Sequence, residues 1–408
     1  MIIVPLGVAS ATPTATRHLP SVALWRNGEV HIFDCGENTQ MRMLQAGIKR
    51  SRIANILISH FDIDHFSGLI GLLSTLQLQR REESLRIVAP AGIQEFVEWN
   101  LNFTGTKLSY ELEFVEIPED IDEMRVVDED EYFIEARPLN HTKFCVGYRF
   151  QEKDKPGKVD ADKAEKFGIT EDAHFKALKA GEDVTLDDGR VIKSYDIVGH
   201  PRPGDSFAYI TDTRYCPNSV KLAMNTNILY HESTFSSELA EKAYETGHST
   251  AADAARVATE SQTKLLVIAH FSARYTNSFL LLKEAREKFF PAWLATELRP
   301  IFTDPAQEKG VIKQRVYLKE IDEQQQQGND SKKKNDSPKR MRKRKKPAEG
   351  MKPRKRRPVS SQTSSRSSSQ DQSSGRPNYR ERDNSSDYQT RKPKHITPRT
   401  PFDDFDRF

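Results

Sequence analysis

Cysteine is scarce in this 408-residue sequence, which contains only Cys35, Cys145 and Cys216, all far apart. That number and spacing exclude a disulfide framework and a zinc knuckle made of cysteines. No apolar run reaches the roughly 18–20 residues that a membrane-spanning helix needs, so we expect no membrane partner. The first residues also lack the charged and apolar regions of a secretory signal. Together these absences predict a cytoplasmic protein.

Net charge is also small, at +3, but it is unevenly distributed along the chain. Residues 321–408 contain 24 Lys and Arg against 12 Asp and Glu, whereas residues 1–320 contain 38 basic against 47 acidic side chains. The segment after residue 320 is rich in Ser, Gln, Lys and Arg and cannot bury a core. We therefore predict one domain over residues 1–320 and a disordered basic tail over residues 321–408.

Short apolar runs alternate with helical patterns through the first domain. Strands are predicted at residues 2–5, 21–25, 31–34, 56–59, 85–89, 111–117, 132–137, 207–211, 228–231, 265–270 and 311–318. Helices are predicted at residues 39–47, 66–80, 92–101, 250–261 and 277–288. This mixture predicts an α/β layered domain. Residues 151–203 are highly charged with little apolar periodicity, so we interpret them as an inserted, partly extended arm and not as a second core.

The strongest local signal is the segment SHFDIDH at residues 59–65, which directly follows an apolar run. Four potential metal ligands lie within six consecutive positions: His60, Asp62, Asp64 and His65. With no Lys or Arg nearby in the sequence, these groups would repel one another unless a cation neutralised them. We therefore predict a metal-binding loop, with a solvated acidic loop as the alternative.

Three further candidate ligands, His141, Asp212 and His270, also stand at the ends of apolar runs. Strand ends that share one sheet edge are where a site is commonly assembled. Asp212 is the natural bridge between two ions, because a carboxylate has two oxygens whereas an imidazole has one free nitrogen.

The cluster resembles the H-x-H-x-D-H signature of the metallo-β-lactamase fold, and residues 1–320 resemble the ribonuclease Z family. Segments that carry the resemblance lie at residues 7–13, 33–40, 67–69, 210–214, 231–235, 247–251 and 269–275. The resemblance implies an αββα sandwich with a tRNA-binding arm at about 151–203. It also implies a homodimer and an endoribonuclease that cleaves the 3′ trailer from precursor tRNA, leaving a 3′-hydroxyl.

The resemblance also implies a ligand set for two divalent ions, with Zn²⁺ expected and Mn²⁺ as the alternative. One ion would be held by His60, Asp62 and His141, the other by Asp64, His65 and His270, with Asp212 shared. One residue departs from the family, which has His at the position of Asp62. The extra carboxylate leads us to expect a first ion that is a weaker Lewis acid and a site that tolerates Mn²⁺ better. A site that holds only one ion tightly is the alternative.

Catalytic roles follow from the same resemblance. Asp64 is expected to orient the attacking water, and His248, oriented by Glu232, to protonate the leaving oxygen. The alternative for His248 is that it only neighbours the cap of the helix that follows. Both roles are compatible, because Ser249, Thr250 and the start of that helix could also bind phosphate. Arg274 could pair with a phosphate oxygen or with a core carboxylate, and Arg17 is a weaker candidate.

The basic tail is not covered by the resemblance. Residues 331–357 hold 15 Lys and Arg and two acidic residues, a composition that binds polyanions. We expect it to contact RNA or the ribosome, with a solubilising segment, a targeting signal or a partner of the acidic domain as alternatives. Two other functions stay open: a metallo-β-lactamase-fold phosphodiesterase with another substrate, and a weakened RNA-binding homologue.

Overall fold

Each of the ten strands predicted within residues 1–304 overlaps an observed strand, and six further strands in this range were not predicted. The computed structural model describes residues 1–304. Its strands in this range are β1 (Ile2–Gly7), β2 (Ser21–Arg26), β3 (Glu29–Phe33), β4 (Ile53–Leu57), β5 (Leu85–Pro90), β6 (Leu112–Ile117), β7 (Met124–Asp128), β8 (Tyr132–Pro138), β9 (Val146–Glu152), β10 (Val184–Thr185), β11 (Val191–Ile192), β12 (Ser206–Ile210), β13 (Ile228–Glu232), β14 (Leu266–Ala269), β15 (Ala292–Leu294) and β16 (Ile301–Phe302). The strand predicted at 311–318 and the tail at 321–408 lie outside the described residues.

The helices begin and end near the expected residues where their apolar faces are strongly periodic. They are α1 (Thr39–Ala46), α2 (Ile63–Phe66), α3 (Leu69–Leu78), α4 (Ile93–Thr104), α5 (Ala161–Phe167), α6 (Asp172–Lys179), α7 (Ser194–Ile197), α8 (Pro217–Ala223), α9 (Ala240–Thr246), α10 (Ala251–Glu260) and α11 (Phe279–Lys288). None of the helices in residues 1–304 is long and apolar enough to cross a membrane.

The strands form two large sheets. One has the order β16-β1-β2-β3-β4-β5-β6, and the other has the order β15-β14-β13-β12-β9-β8-β7. In the first sheet β3 to β6 are parallel, and in the second β12 to β15 are parallel. Their carboxyl ends therefore lie along one edge of each sheet.

Side-chain alternation along the strands explains the layers. Ile3 of β1 and Leu24 of β2 belong to the core shared with the second sheet, whereas their neighbours Val4 and Ala23 pack with α1, α3 and α4. Successive strand residues point to opposite faces, so each buried strand serves two cores. The result is helices, two facing sheets and helices again, which confirms the predicted α/β sandwich.

The arm is inserted between β9 and β12, which are antiparallel neighbours. The expectation that it has no core of its own was wrong. It contains α5, α6, α7 and the β10–β11 hairpin. These elements enclose a small apolar cluster of Ala164, Ile169, Leu178, Val184, Ile192 and Ile197. The apolar residues come from five short elements, so no single stretch is long enough to show a clear period.

Candidate metal centre

The SHFDIDH segment leaves the carboxyl end of β4 and turns into the one-turn helix α2. Asp62 stands at the extended position before that helix, while Asp64 and His65 lie within it. The turn brings the rings of His60 and His65 to 4.3 Å between centroids, although four residues separate them. A short helix directly after a strand therefore directs side chains on both sides of the turn towards one place.

The first donor set lies on the side of His141, which follows β8. Asp62 Oδ2 is 3.5 Å from His60 Nε2 and 3.4 Å from His141 Nε2. His60 Nε2 is in turn 3.6 Å from Asp212 Oδ2. One donor atom from each of these four residues lies within 4.8 Å of all the others. The structure thus brings together the residues expected to hold one ion.

The second donor set lies on the side of His270, which follows β14. His65 Nε2 is 3.5 Å from Asp64 Oδ2 and 3.5 Å from Asp212 Oδ1. His270 Nε2 is 3.2 Å from the same Asp212 oxygen. Asp212 therefore presents Oδ2 to the first set and Oδ1 to the second, which is the arrangement of a bridging carboxylate.

Each of the four imidazoles is held through its other nitrogen. The Nδ1 partners are Ser59 Oγ at 2.9 Å for His60, Asp34 Oδ2 at 2.7 Å for His65, the Gly247 carbonyl at 2.9 Å for His141, and Thr234 Oγ1 at 2.9 Å for His270. A carboxylate and a carbonyl only accept hydrogen bonds, so Nδ1 carries the hydrogen in His65 and His141. This fixes the tautomer in which Nε2 is a metal donor.

These donors fit divalent cations. The Nε2 atoms of His60, His65 and His270 are buried and have no hydrogen-bond partner among residues 1–304. Ligands about 2.0–2.1 Å from a tetrahedral ion lie about 3.4 Å from one another, close to the separations observed in both sets. Lone pairs that face carboxylate oxygens at such distances repel unless positive charge lies between them. The chemistry and spacing of this cluster therefore fit divalent metal ions.

The pKa shifts of His65 and Asp62 also show that the cluster favours positive charge. Burial lowers the pKa of His65, but Asp212 and Asp34 outweigh burial and raise it well above its ordinary value. The pKa of Asp62 is held far below its usual range by the imidazole of His141, then by that of His60, and then by the ammonium of Lys143. Asp62 is therefore ionised and available as a ligand.

Asp34 is a supporting residue that sequence reasoning missed. It lies at the end of β3, accepts from the Ser59 amide at 2.7 Å and the Tyr209 hydroxyl at 2.7 Å, and holds His65. Its φ of 56° is left-handed, as are those of Asp212 at 42° and His270 at 59°. Such strained backbone concentrates at functional sites. The signal was present, because Asp34 stands in the FDCGENTQ segment that carries the family resemblance.

His248 and Glu232 meet beside the donor sets. His248 Nδ1 is 3.0 Å from Glu232 Oε1, which also accepts from the Thr213 amide at 2.9 Å. Burial lowers the pKa of His248, but Glu232 outweighs burial and raises it to about 9. His248 is also near enough to Asp212 and His270 to share an ion with them. The pair is therefore a candidate proton donor or an additional ligand.

The four candidate substrate contacts have different surroundings. Ser249 is buried and donates to the Thr213 carbonyl, and Thr250 caps α10 in a reciprocal pair with Asp253. Arg17 donates to the carbonyls of Ser272 and Tyr275. Only Arg274 is exposed, with Nε on Ser272 Oγ and its guanidinium over the Phe235 ring. The substrate roles of all four stay predictions, and Arg274 is the one best placed to meet a ligand.

A lysine lies against the first donor set, contrary to the expectation from the sequence. Lys143 Nζ is paired with Asp62 Oδ1. It follows His141 by two residues, so the position beside a predicted ligand was the signal that could have found it. Its ammonium changes the charge of this half of the site.

Comparisons with known proteins agree with this geometry. The chain is 40% identical over 308 residues to a ribonuclease Z of Salinibacter ruber, covering 75% of this chain and 96% of that protein. It is 41% identical over 305 residues to a ribonuclease Z of Prochlorococcus marinus, covering 73% and 98%. The structure of human tRNase Z, short form, matches with a TM-score of 0.55 and 25% identity, covering 74% and 100%. Residues 1–135 match the family model of the anti-Pycsar protein Apyc1.

Proposed function

The chain belongs to the ribonuclease Z family, and we infer from this that it is a metal-dependent endoribonuclease that processes the 3′ end of precursor tRNA. The observation that carries the inference is the pair of donor sets joined by Asp212 beside the His248–Glu232 pair. A phosphodiester needs charge neutralisation, an oriented water and a proton for the leaving oxygen, and this cluster contains a group for each.

We propose two divalent ions, with Zn²⁺ preferred. His60, Asp62 and His141 would hold one, Asp64, His65 and His270 the other, and Asp212 both. Two imidazoles and two carboxylate oxygens in each set suit a four-coordinate zinc. The chemistry that paired divalent ions supply is activation of water and neutralisation of phosphate charge.

Asp64 is proposed to orient the attacking water. Its Oδ2 accepts from the Ala11 amide at 3.0 Å, which holds the carboxylate in one position. The residue is buried, so few water molecules compete for it. A fixed acceptor at this point aligns the water with the phosphorus atom.

His248 is proposed to protonate the leaving 3′ oxygen. Glu232 occupies Nδ1, so Nε2–H is the group that can be offered to a substrate. Although burial lowers the pKa of this ring, Glu232 raises it, which favours the form that carries the proton. The water oxygen forms a bond to phosphorus while its proton passes through Asp64 to solvent, the bond from phosphorus to O3′ breaks, and the His248 proton passes to O3′. The tRNA then ends in a 3′-hydroxyl and the trailer carries the phosphate.

Substrate contacts outside the centre are also proposals. We propose that the arm at 151–203 binds tRNA away from the cleaved bond, and that Arg274 meets a phosphate near it, with Arg17, Ser249 and Thr250 shaping that region. A cytoplasmic homodimer and contact of the tail at 321–408 with RNA or the ribosome complete the proposal. The domain boundary at residue 320 lies outside the described residues.

A second candidate is the same fold acting on a different substrate. The match of residues 1–135 to the Apyc1 family model favours it, because that model describes a protein other than ribonuclease Z. The metal centre is common to both candidates, so only the substrate separates them.

The test uses the full chain with a precursor tRNA that has a 3′ trailer, in the presence of Zn²⁺ or Mn²⁺. We expect trailer release that stops with chelator and returns with added metal, and a 3′-hydroxyl on the tRNA product. Cleavage of a small phosphodiester without tRNA cleavage would support the second candidate. Binding of tRNA without any cleavage would overturn both.

A further inference from the structure

The two oxygens of Asp62 have different partners. Oδ2 faces the imidazoles of His60 and His141 at 3.5 and 3.4 Å, whereas Oδ1 is paired with the ammonium of Lys143. The Lys143 side chain is 57% exposed and that of Asp62 is 31% exposed. The ion pair therefore lies at the solvent side of the first donor set, with one carboxylate oxygen left for a metal.

The second donor set has no such cation on its own carboxylate among the contacts of residues 1–304. Asp64 Oδ2 accepts from the neutral Ala11 amide. Otherwise the sets match, since each contains two imidazoles, one aspartate of its own and one oxygen of Asp212. Lys143 thus distinguishes the carboxylate of the first set from that of the second.

The charges of the centre show the effect of Lys143. Asp62, Asp64 and Asp212 place three negative charges in the centre, and Lys143 offsets one of them at the atom it touches. An aspartate paired with a lysine carries the same net charge as a neutral imidazole. The earlier expectation of a weaker Lewis acid counted the carboxylate without its partner.

We propose that Lys143 sets the metal preference of the first donor set by occupying Asp62 Oδ1, so that Asp62 offers a metal one oxygen only. A carboxylate that is free to bind through both oxygens adds a fifth donor. Additional oxygen donors favour harder ions such as Mn²⁺ over four-coordinate Zn²⁺. The inference rests on the metal centre of the proposed function and is independent of the RNA substrate.

The experiment measures metal content, not activity. The full-length protein and its Lys143→Met variant are dialysed against equimolar Zn²⁺ and Mn²⁺, and bound metals are counted by mass spectrometry. We expect two ions per chain in both proteins and a manganese-to-zinc ratio about tenfold higher in the variant, the scale on which groups that orient a ligand act. Electron paramagnetic resonance of bound Mn²⁺ provides a second readout. Lys143→Arg keeps a cation on Oδ1 and should retain the wild-type ratio.

Two controls test whether the change in the manganese-to-zinc ratio comes from the Lys143–Asp62 ion pair. Lys193→Met removes a lysine of similar exposure that is paired with Asp183 at 2.7 Å in the arm, and should leave the ratio unchanged. The Asp62→His variant has no carboxylate oxygen at this position, so adding Lys143→Met to it should no longer change the manganese-to-zinc ratio.

An unchanged ratio in a fully loaded Lys143→Met protein, or a shift towards zinc, would overturn the inference alone. Loss of one ion from the Lys143→Met variant, with either metal, would also overturn it. Lys143 would then be needed to keep Asp62 in position and would not act by limiting Asp62 to one metal-binding oxygen. A wild-type protein that binds neither metal would remove the proposed function as well, so the two failures are distinguishable.

Discussion

The two donor sets have the same composition but different exposure. Asp64, His65 and His270 are all buried, whereas Asp62 and His141 of the first set are only partly buried. The buried set is enclosed by the ends of strands, and the other borders solvent, where a substrate must enter. The second set is therefore the enclosed part of the centre, and the first set is the part that is open to solvent.

The largest effect is expected from the residue that joins the sets. Asp212→Asn replaces one of the two bridging oxygens with an amide and removes the negative charge, so both ions should bind more weakly. The loss of about 4 kcal/mol of transition-state stabilisation corresponds to a roughly thousandfold slower cleavage. Metal content and single-turnover cleavage measure it, with the exposed Asp128→Asn as control. Retention of both ions would show that the sets do not depend on this bridge.

Removal of the proton donor is expected to slow cleavage less, because both donor sets remain intact. His248→Asn keeps polarity but cannot release a proton, and should slow cleavage by about a hundredfold or more at unchanged metal content. His174→Asn in the arm is the histidine control for metal content, which it should leave unchanged. Loss of an ion from His248→Asn would instead identify His248 as a ligand of the second set.

The smallest effect is expected from variants that weaken the ion of one donor set and leave the ion of the other set near its wild-type affinity. Ser59→Ala removes the Nδ1 partner of His60, and Thr234→Val removes that of His270. Each change should weaken one ion by about 10- to 100-fold and leave the other near its wild-type affinity. Competition with a chromogenic chelator measures both affinities, and Thr263→Val, which loses a buried hydroxyl elsewhere, is the control. Equal weakening of both ions by either variant would mean that the sets act as one unit.

Much of the centre was predictable because its ligands are polar residues at the ends of apolar runs. Parallel strands share a carboxyl edge, so Asp212 after β12 and His270 after β14 had to lie near each other. The arm was harder, because its small core is assembled from short elements that have no long periodic pattern. Lys143 and Asp34 were missed for a related reason, since each contacts a candidate ligand and is not a candidate ligand itself.

By itself, the sequence determined the layers and the set of candidate ligands. Strand residues such as Ile3 and Val4 must face opposite sides, and a cluster of imidazoles and carboxylates after a strand requires a cation. Only the tertiary structure decided which oxygen of Asp212 faces which set, and that Lys143 meets Asp62 across 81 positions of the chain. The physical reason is that these contacts depend on how two sheets and their loops pack together, and no local pattern encodes a side-chain direction over that distance.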